Sequence, residues 1–276
     1  MVLSALFFSL MSLTVKVAGA RLPTMELVLA RGVIVSLLAG ADLARRRVPL
    51  HGGQTALLLA RGLVGFLALA CFYYSVVHLP LAEATLIHFT NPVFTALIAA
   101  AFLGERLRPR ELALALVGLA GVVLVVNPAG LPGQALPTLP VVSSLTAAVL
   151  AAIAYTLVRH LRSHDPMLVV FSFAGVTSLA ALPWTVPVFV LPRGSEWAVL
   201  LAVGVSTFLG QLFLTLGLQR ERAGRAMTVG YVQIVFATIW GILVFGQRPG
   251  VATLLGATII VGSTLVLARR GAATAP

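Results

Sequence analysis

The chain reads as an all-α membrane protein: ten transmembrane helices arranged as two inverted five-helix repeats. Three observations predict this. Of its 276 residues 59% are hydrophobic and only 10% are charged, against about 25% charged in an average soluble domain. Apolar runs of about 18–22 residues recur from end to end, each long enough to cross a hydrocarbon core of roughly 30 Å. Residues 83–106 also align without a gap on residues 225–248, sharing Ala84/Ala226, Val93/Val235, Phe94/Phe236, Gly104/Gly246 and Arg106/Arg248. Each of these segments is the penultimate span of its half, and internal duplication of this kind marks bundles built from repeats.

Breaks at Pro, Gly and charged residues place the spans at 1–20, 24–44, 56–77, 80–103, 111–127, 141–160, 166–190, 197–218, 223–245 and 250–268. The first has no basic segment before it and is interrupted by Lys16, so it reads as a helix and not as a cleaved signal peptide. Its abrupt start leaves open whether Met1 is the true start. The long loop from Asn127 to Pro140 is uncharged and rich in Pro and Gly. It divides the chain into a first repeat over 1–127, a linker over 128–140 and a second repeat over 141–270. Gly62, Gly65, Gly118, Gly121, Gly204, Gly210, Gly256 and Gly262 read as small surfaces that let helices approach one another closely.

Five helices per repeat is an odd number, so the second copy enters the membrane from the opposite side. With the N-terminus cytoplasmic, thirteen arginines fall in inner loops or at the C-terminus (45–47, 106, 108, 110, 159, 162, 220, 222, 225, 269 and 270) and three in outer loops (21, 193 and 248). That bias predicts a multi-pass inner-membrane protein with both termini in the cytoplasm. It also accounts for the net charge of +11 without nucleic acid. Cys71 is the only cysteine, which excludes an intrachain disulfide; it reads as a packing residue.

Polar groups inside a bilayer are costly and need a reason. Four clusters stand out. Lys16, Glu26 and Arg31 read as a buried network of charges near the outer rim, or as a positive surplus that attracts an anionic or zwitterionic substrate. His88, Thr90, Asn91 and Pro92 place an Asn-Pro break in the fourth span, beside a cavity, because Pro lacks an N–H and clashes with the preceding turn. Tyr231 and Gln233 fall opposite Phe89 and Asn91 in the gapless alignment, so both halves set an aromatic and then an amide at similar depth. Tyr73, Tyr74 and Ser75 join Gln211 as a fourth candidate, with the tyrosines also readable as interfacial belt residues. Glu83 and Arg61 read as end-of-helix residues, Arg61 snorkelling to the headgroups.

An enzyme is not expected. The two aspartates, Asp42 and Asp165, lie at loops, and the sequence holds no G-x-S-x-G, H-E-x-x-H or Walker A pattern. No catalytic residue, metal site or cofactor is read.

Lys16, PTMELVLAR (23–31), the run 61–107, GYVQIVFATIWGILVFGQRP (230–249) and the G-x-x-I-I-x-G tail (256–262) together resemble the drug/metabolite transporter superfamily, in its ten-helix EamA-type branch. LPLAEAT, NPVF and LGER, between Leu79 and Arg106, are the most specific part. The resemblance implies two inverted repeats around a central cavity lined by both halves, and alternating access. Family members carry amino acids, nucleotide sugars, riboflavin, organic anions and quaternary amines. The 61–106 run is similar to a eukaryotic branch associated with organic anions. The chain departs from the four-helix multidrug relatives in having no acid in its first helix. Its second half has Gln247 where the first has Glu105.

The expected function is secondary transport, by export or exchange, of a small polar metabolite that is anionic or zwitterionic, such as an amino acid or organic acid. The residues expected to contact it are His88, Asn91, Tyr231 and Gln233, backed by Gln211, Tyr73 and Arg31. The expected partners are that small molecule and the lipid bilayer. Proton coupling and a homodimer stay open. The competing expectation is a membrane scaffold, in which the same polar residues face neighbouring helices in a dry core.

Overall fold

The computed structural model describes residues 2–49, 53–91, 93–95, 98, 109–126, 136–161, 163–220 and 231–271. Pro92, the turn at 104–106, the linker residues 127–135, the start of the ninth span at 223–230 and Arg162, Arg222 and Arg225 lie outside the described residues.

Among the described residues there are ten α-helices and no strand. They are α1 (Val2–Ala18), α2 (Thr24–Arg46), α3 (Thr55–His78), α4 (Leu81–His88), α5 (Pro109–Val126), α6 (Thr138–His160), α7 (Pro166–Thr185, with a 3-10 turn at Val186–Val188), α8 (Glu196–Arg220), α9 (Val232–Phe245) and α10 (Val251–Gly271). Helices α2, α3, α6, α7 and α8 are each long and apolar enough to cross a membrane alone, and α1, α5, α9 and α10 contain shorter apolar stretches. Their starts are set by proline. Pro23, Pro80 and Pro137 precede α2, α4 and α6, and Pro166 opens α7 beside Asp165, whose side chain accepts the Met167 N–H at 2.8 Å. Gly246 ends α9 at φ 63°, where its N–H and that of Gln247 close on the carbonyls of Ile242 and Gly241.

The fourth span, 80–103, is broken where the Asn-Pro pair predicts. Helix α4 stops at His88, Phe89 and Thr90 form a turn, and helical geometry returns at Asn91. The cause is the proline at 92, which offers no N–H to the His88 carbonyl four residues earlier. Within the turn, the Thr90 N–H and hydroxyl both donate to the Ile87 carbonyl, at 3.2 and 2.7 Å.

Helix packing has a two-fold pattern. Exchange α1–α5 for α6–α10 in order, and the contacts map onto one another. Helix α1 packs on α8 as α6 packs on α3; α3 packs on α7 as α8 packs on α2; α1 packs on α9 as α6 packs on α4. Helix α2 meets its own counterpart α7, α4 meets α9, and α5 meets α10. Single residues obey the same exchange with a constant offset of 142, the separation of Phe89 from Tyr231. Gly62 lies against Val176, and their counterparts Gly204 and Ile34 lie against each other. Gly118 meets Ser263, and the counterparts Ile260 and Gly121 also meet. The gapless alignment seen over α4 and α9 thus extends from α2 to α10, and the two repeats are inverted copies.

Large apolar side chains face outward around the bundle, including Leu37, Leu63, Leu179, Trp184, Leu243 and Leu255. In a soluble protein so much exposed apolar surface would be a liability; here it is the surface that lipid covers. Charged pairs sit at the helix ends. Arg46 donates to Asp42 at 2.7 Å and to Asp165 at 2.9 Å, tying the end of α2 to the start of α7. On the opposite face Arg21 pairs with Glu196. The hydrogen bond from Arg46 holds the Asp165 carboxyl below the usual carboxylate range.

A group with a depressed folded-state pKa contributes stability above its unfolded pKa and loses it as pH falls through the folded one. Asp165→Asn keeps a good N-cap but loses the ion pair. The variant is expected to be less stable than the parent at pH 7 by under about 1 kcal/mol, since the pair is partly exposed. The gap should close as pH drops below the ordinary carboxylate range, and a melting curve recorded against pH checks it.

Candidate functional site

Where the two halves meet, α1, α2, α3, α4, α6, α7, α8 and α9 leave a cavity of about 110 Å³. By the same measure one water needs roughly 10–15 Å³, so several waters or a small metabolite fit. His88, Asn91, Gln233, Gln211 and Arg31, five of the seven residues expected from the sequence, lie on its wall. They come from α4, α9, α8 and α2, so both repeats contribute.

The break in α4 is what presents two of them. His88 is the last residue of α4, packed against Phe72 with ring centres 4.4 Å apart, and its Nδ1 is buried without a partner. Asn91 stands at the restart of the helix with its Oδ1 buried and unpartnered. Between them, Phe89 reaches Tyr231, its counterpart in the other repeat, with ring centres 5.6 Å apart. The Tyr231 hydroxyl points to the Phe89 carbonyl at 3.5 Å. Tyr231 is therefore a buttress behind the cavity wall, and the pair Phe89/Tyr231 marks the pseudo-two-fold axis. Tyr73 is not on the wall either. It is fully buried in the core, with no exposure, which rules out the interfacial-belt reading for Tyr73; Tyr74 is half-buried.

The Lys16–Glu26–Arg31 network expected from the sequence does not form. Glu26 and Arg31 are five residues apart and so point about 140° away from each other around α2. Each finds a separate environment. The Lys16 ammonium donates to the carbonyls of Val76, Val77 and Leu79 at the end of α3, a favourable place for a cation. Glu26 accepts the Val190 N–H at 3.0 Å. Arg31 turns to the cavity and lies 4.9 Å from the centre of the Phe173 ring.

Arg61 also corrects the sequence reading. It lies six residues into α3, about 9 Å from its start, and is only 3% exposed. It does not reach the headgroups. Its guanidinium folds along α3, over Gly65, onto the same Phe173 ring at 4.1 Å. A methyl group added at Gly65 would collide with both the Arg61 guanidinium and the Phe173 ring, so glycine is required there for this approach. A signal was present in the sequence: an arginine inside an apolar run with a glycine one helical turn on. Tyr155, Phe173 and Ser4 complete the wall and carried no signal of their own.

Among the described residues neither Arg31 nor Arg61 makes a hydrogen bond or ion pair, and Nε and Nη1 of both are buried without partners. No Asp or Glu lines the cavity. An arginine at the centre of a membrane helix costs roughly 2.5–3.5 kcal/mol on insertion scales. A cation–π contact returns about 0.5–2 kcal/mol, so the ring offsets the cost only in part.

A second cavity, of about 500 Å³, opens between the ends of α3, α9 and α5 on the face opposite the termini. Several of its polar groups are already engaged. Gln247 accepts the Leu81 N–H at 2.9 Å, and Glu83, in the first turn of α4 as expected and buried there, accepts from the Thr253 hydroxyl at 3.0 Å. Unpartnered atoms of four side chains, Arg31, Arg61, His88 and Asn91, line the central cavity, which makes that cavity the candidate site.

Cysteine substitutions in a Cys71→Ser background test the assignment. Gln211→Cys and Gln233→Cys should react with a small, membrane-permeant thiosulfonate at least about tenfold faster than Tyr73→Cys, because thiolate chemistry needs water access. Equal, slow labelling at all three positions would instead describe a dry core.

Comparison with known proteins agrees with the architecture. A family model described as the EamA-like transporter family matches residues 1–127 and again 138–269. The pseudopaline exporter CntI of Pseudomonas aeruginosa is 36% identical over 277 residues, covering 97% of this chain and 94% of that one. Solute carrier family 35 member G1 of Mus musculus is 32% identical over 279 residues, covering 95% of this chain and 75% of that one. A crystal structure of a protein 24% identical to this chain matches with a TM-score of 0.67, covering 97% of this chain and 98% of that one; at that identity it shows the fold alone. Ten helices in inverted repeats, the doubled family match and relatives named as transporters meet in one conclusion: the chain belongs to the EamA-like transporter family.

Proposed function

We propose that the protein is a secondary transporter, an exporter or exchanger, of a small polar metabolite that is anionic or zwitterionic, such as an amino acid or organic acid. The observation that carries this is the convergence of buried polar side chains from both repeats on one cavity, with unpartnered atoms on Arg31, Arg61, His88 and Asn91. Polar groups at bilayer depth are retained where a substrate or ion passes, and sites in inverted-repeat carriers lie at the repeat interface. The resemblance to an exporter supports outward transport.

In this reading residues 1–127 and 141–270 are the two repeats joined by the linker 128–140. The arginine bias puts both termini in the cytoplasm of a bacterial-type inner membrane. The second cavity then faces outward. Lys16 on the α3 carbonyls, Gln247 on Leu81 and Thr253 on Glu83 tie α1, α3, α4, α9 and α10 together on that side. Alternating access requires these ties to open when the repeats rock about the axis at Phe89 and Tyr231.

Purified protein in liposomes, screened for counterflow against a broad metabolite panel, is expected to move at least one member. His88→Ala and Gln233→Ala should each slow that flux by about tenfold or more, the size expected when a hydrogen bond to a charged or polar ligand is lost in a buried site, while melting within a few degrees of the parent. If no metabolite moves while a control carrier works, the transport reading fails.

A further inference from the structure

The charge balance of the cavity narrows the substrate class, on the basis of the transport reading above. Two guanidinium groups, from α2 and α3, face the same space beside one aromatic ring, at 4.9 and 4.1 Å from its centre. Neither makes a hydrogen bond or an ion pair among the described residues, and no carboxylate among them lines the cavity. An arginine is always charged. The cavity thus carries two positive charges that no carboxylate among the described residues neutralises.

A substrate has to supply what the wall lacks. A zwitterion brings no net charge and leaves both guanidinium groups uncompensated. A monocarboxylate satisfies one and leaves the other. We propose that the substrate is a small organic dianion whose charge sits on two carboxylates, one for Arg31 and one for Arg61. The guanidinium fork suits carboxylate oxygens. Because the two forks come from different helices, they present two separate points and not a single oxyanion cradle. Phe173 positions both: its ring face restricts each guanidinium without using an N–H, so the donors stay free for the ligand. Gly65 holds the second arginine in place by leaving room for it. His88, Asn91 and Gln233 on the far wall are neutral or polar groups suited to the substrate's remaining hydroxyl, amide or carbonyl atoms.

The symmetry of the fold strengthens the assignment. With the offset of 142, Arg31 corresponds to Phe173 and Arg61 to Val203, so neither arginine is repeated in the second half. The equivalent positions in the second half carry no charge.

The test uses the full-length protein in detergent and in liposomes. Thermal shift and counterflow are measured with the dicarboxylates malonate, succinate, glutarate and adipate. Butyrate serves as the monoanion, glutamine as the zwitterion and glycerol 3-phosphate as a dianion with its charge on one group. At least one dicarboxylate is expected to stabilise the protein and drive counterflow at a concentration about tenfold or more below the three controls. Arg31→Gln and Arg61→Gln should each lower that affinity at least about tenfold and, with one charge remaining, should erase the preference for dicarboxylate over butyrate. A merely structural arginine would not move that preference. Arg31→Lys and Arg61→Lys keep the charge and should keep the preference at weaker affinity, which serves if a glutamine variant fails to fold. Butyrate, glutamine or glycerol 3-phosphate acting as well as every dicarboxylate would overturn the inference, as would glutamine variants with unchanged preference. If the protein moves another metabolite and ignores the dicarboxylates, the dianion is wrong and the transport reading stands. If it moves nothing in the wider panel, both fall.

Discussion

The structure turns on the crossings of α2 with α7 and of α4 with α9. In each, a helix meets its own inverted copy, so residues 142 apart in sequence touch: Phe89 lies on Tyr231 and Arg31 on Phe173. A residue on such an axis needs a partner that tolerates its counterpart at short range. Two aromatic rings meet that condition at the first crossing. At the second, an arginine and a ring meet it, where two arginines could not without severe repulsion. The remaining contacts follow in exchanged pairs, such as Gly62 on Val176 and Gly204 on Ile34. Glycine at these positions allows the close approach that substitutes, in lipid, for a hydrophobic drive to pack.

On this symmetric backbone the polar side chains are placed unevenly. Asn91 and Gln233 are counterparts, and both are amides on the cavity wall. Gln211 corresponds to Leu69, and Tyr155 to Leu13. Symmetry of the backbone gives a carrier two related arrangements in which either face can close. Asymmetry of the lining lets one cavity hold one substrate in one orientation. The two faces also differ in how they are tied. Opposite the termini, Lys16, Gln247 and Glu83 are all bonded between elements, whereas in the central cavity His88, Asn91, Arg31 and Arg61 keep atoms without partners. Polar groups thus bridge elements at that face and keep unpartnered atoms in the central cavity.

Most of the fold was legible in the sequence, because bilayer thickness fixes helix length and backbone satisfaction forbids most alternatives. The spans, their number and their inversion follow from run length, punctuation and arginine bias. The break in α4 follows from Asn91-Pro92, and the register between halves from one short gapless alignment. The site was legible only where depth alone decides the outcome. His88, Asn91, Gln211 and Gln233 are polar in mid-span, and each faces the cavity. Direction around the helix was not legible. Glu26 and Arg31 looked like partners by spacing along the chain but diverge around it. Tyr73 and Tyr231 have the right depth and the wrong azimuth. Arg61 was misread because a long side chain near a helix end can run toward either the headgroups or the interior, and only Gly65 indicates which.

Arg61 shows how the choice is made. Running outward, its guanidinium would meet water and headgroups at little cost. Running inward, it loses that solvation and gains a ring face worth about 0.5–2 kcal/mol, with no hydrogen bond or ion pair among the described residues to replace the lost water. Packing alone therefore does not explain the inward course. Gly65 gives up a side chain, in a helix where Ala would be about 1 kcal/mol better by propensity, to make room for it. In the proposal above, two unfavourable choices, a glycine in mid-helix and a desolvated cation, are compensated together by a ligand bearing negative charge. The same argument applies to Arg31, and on that proposal the arginine pair serves recognition and not architecture.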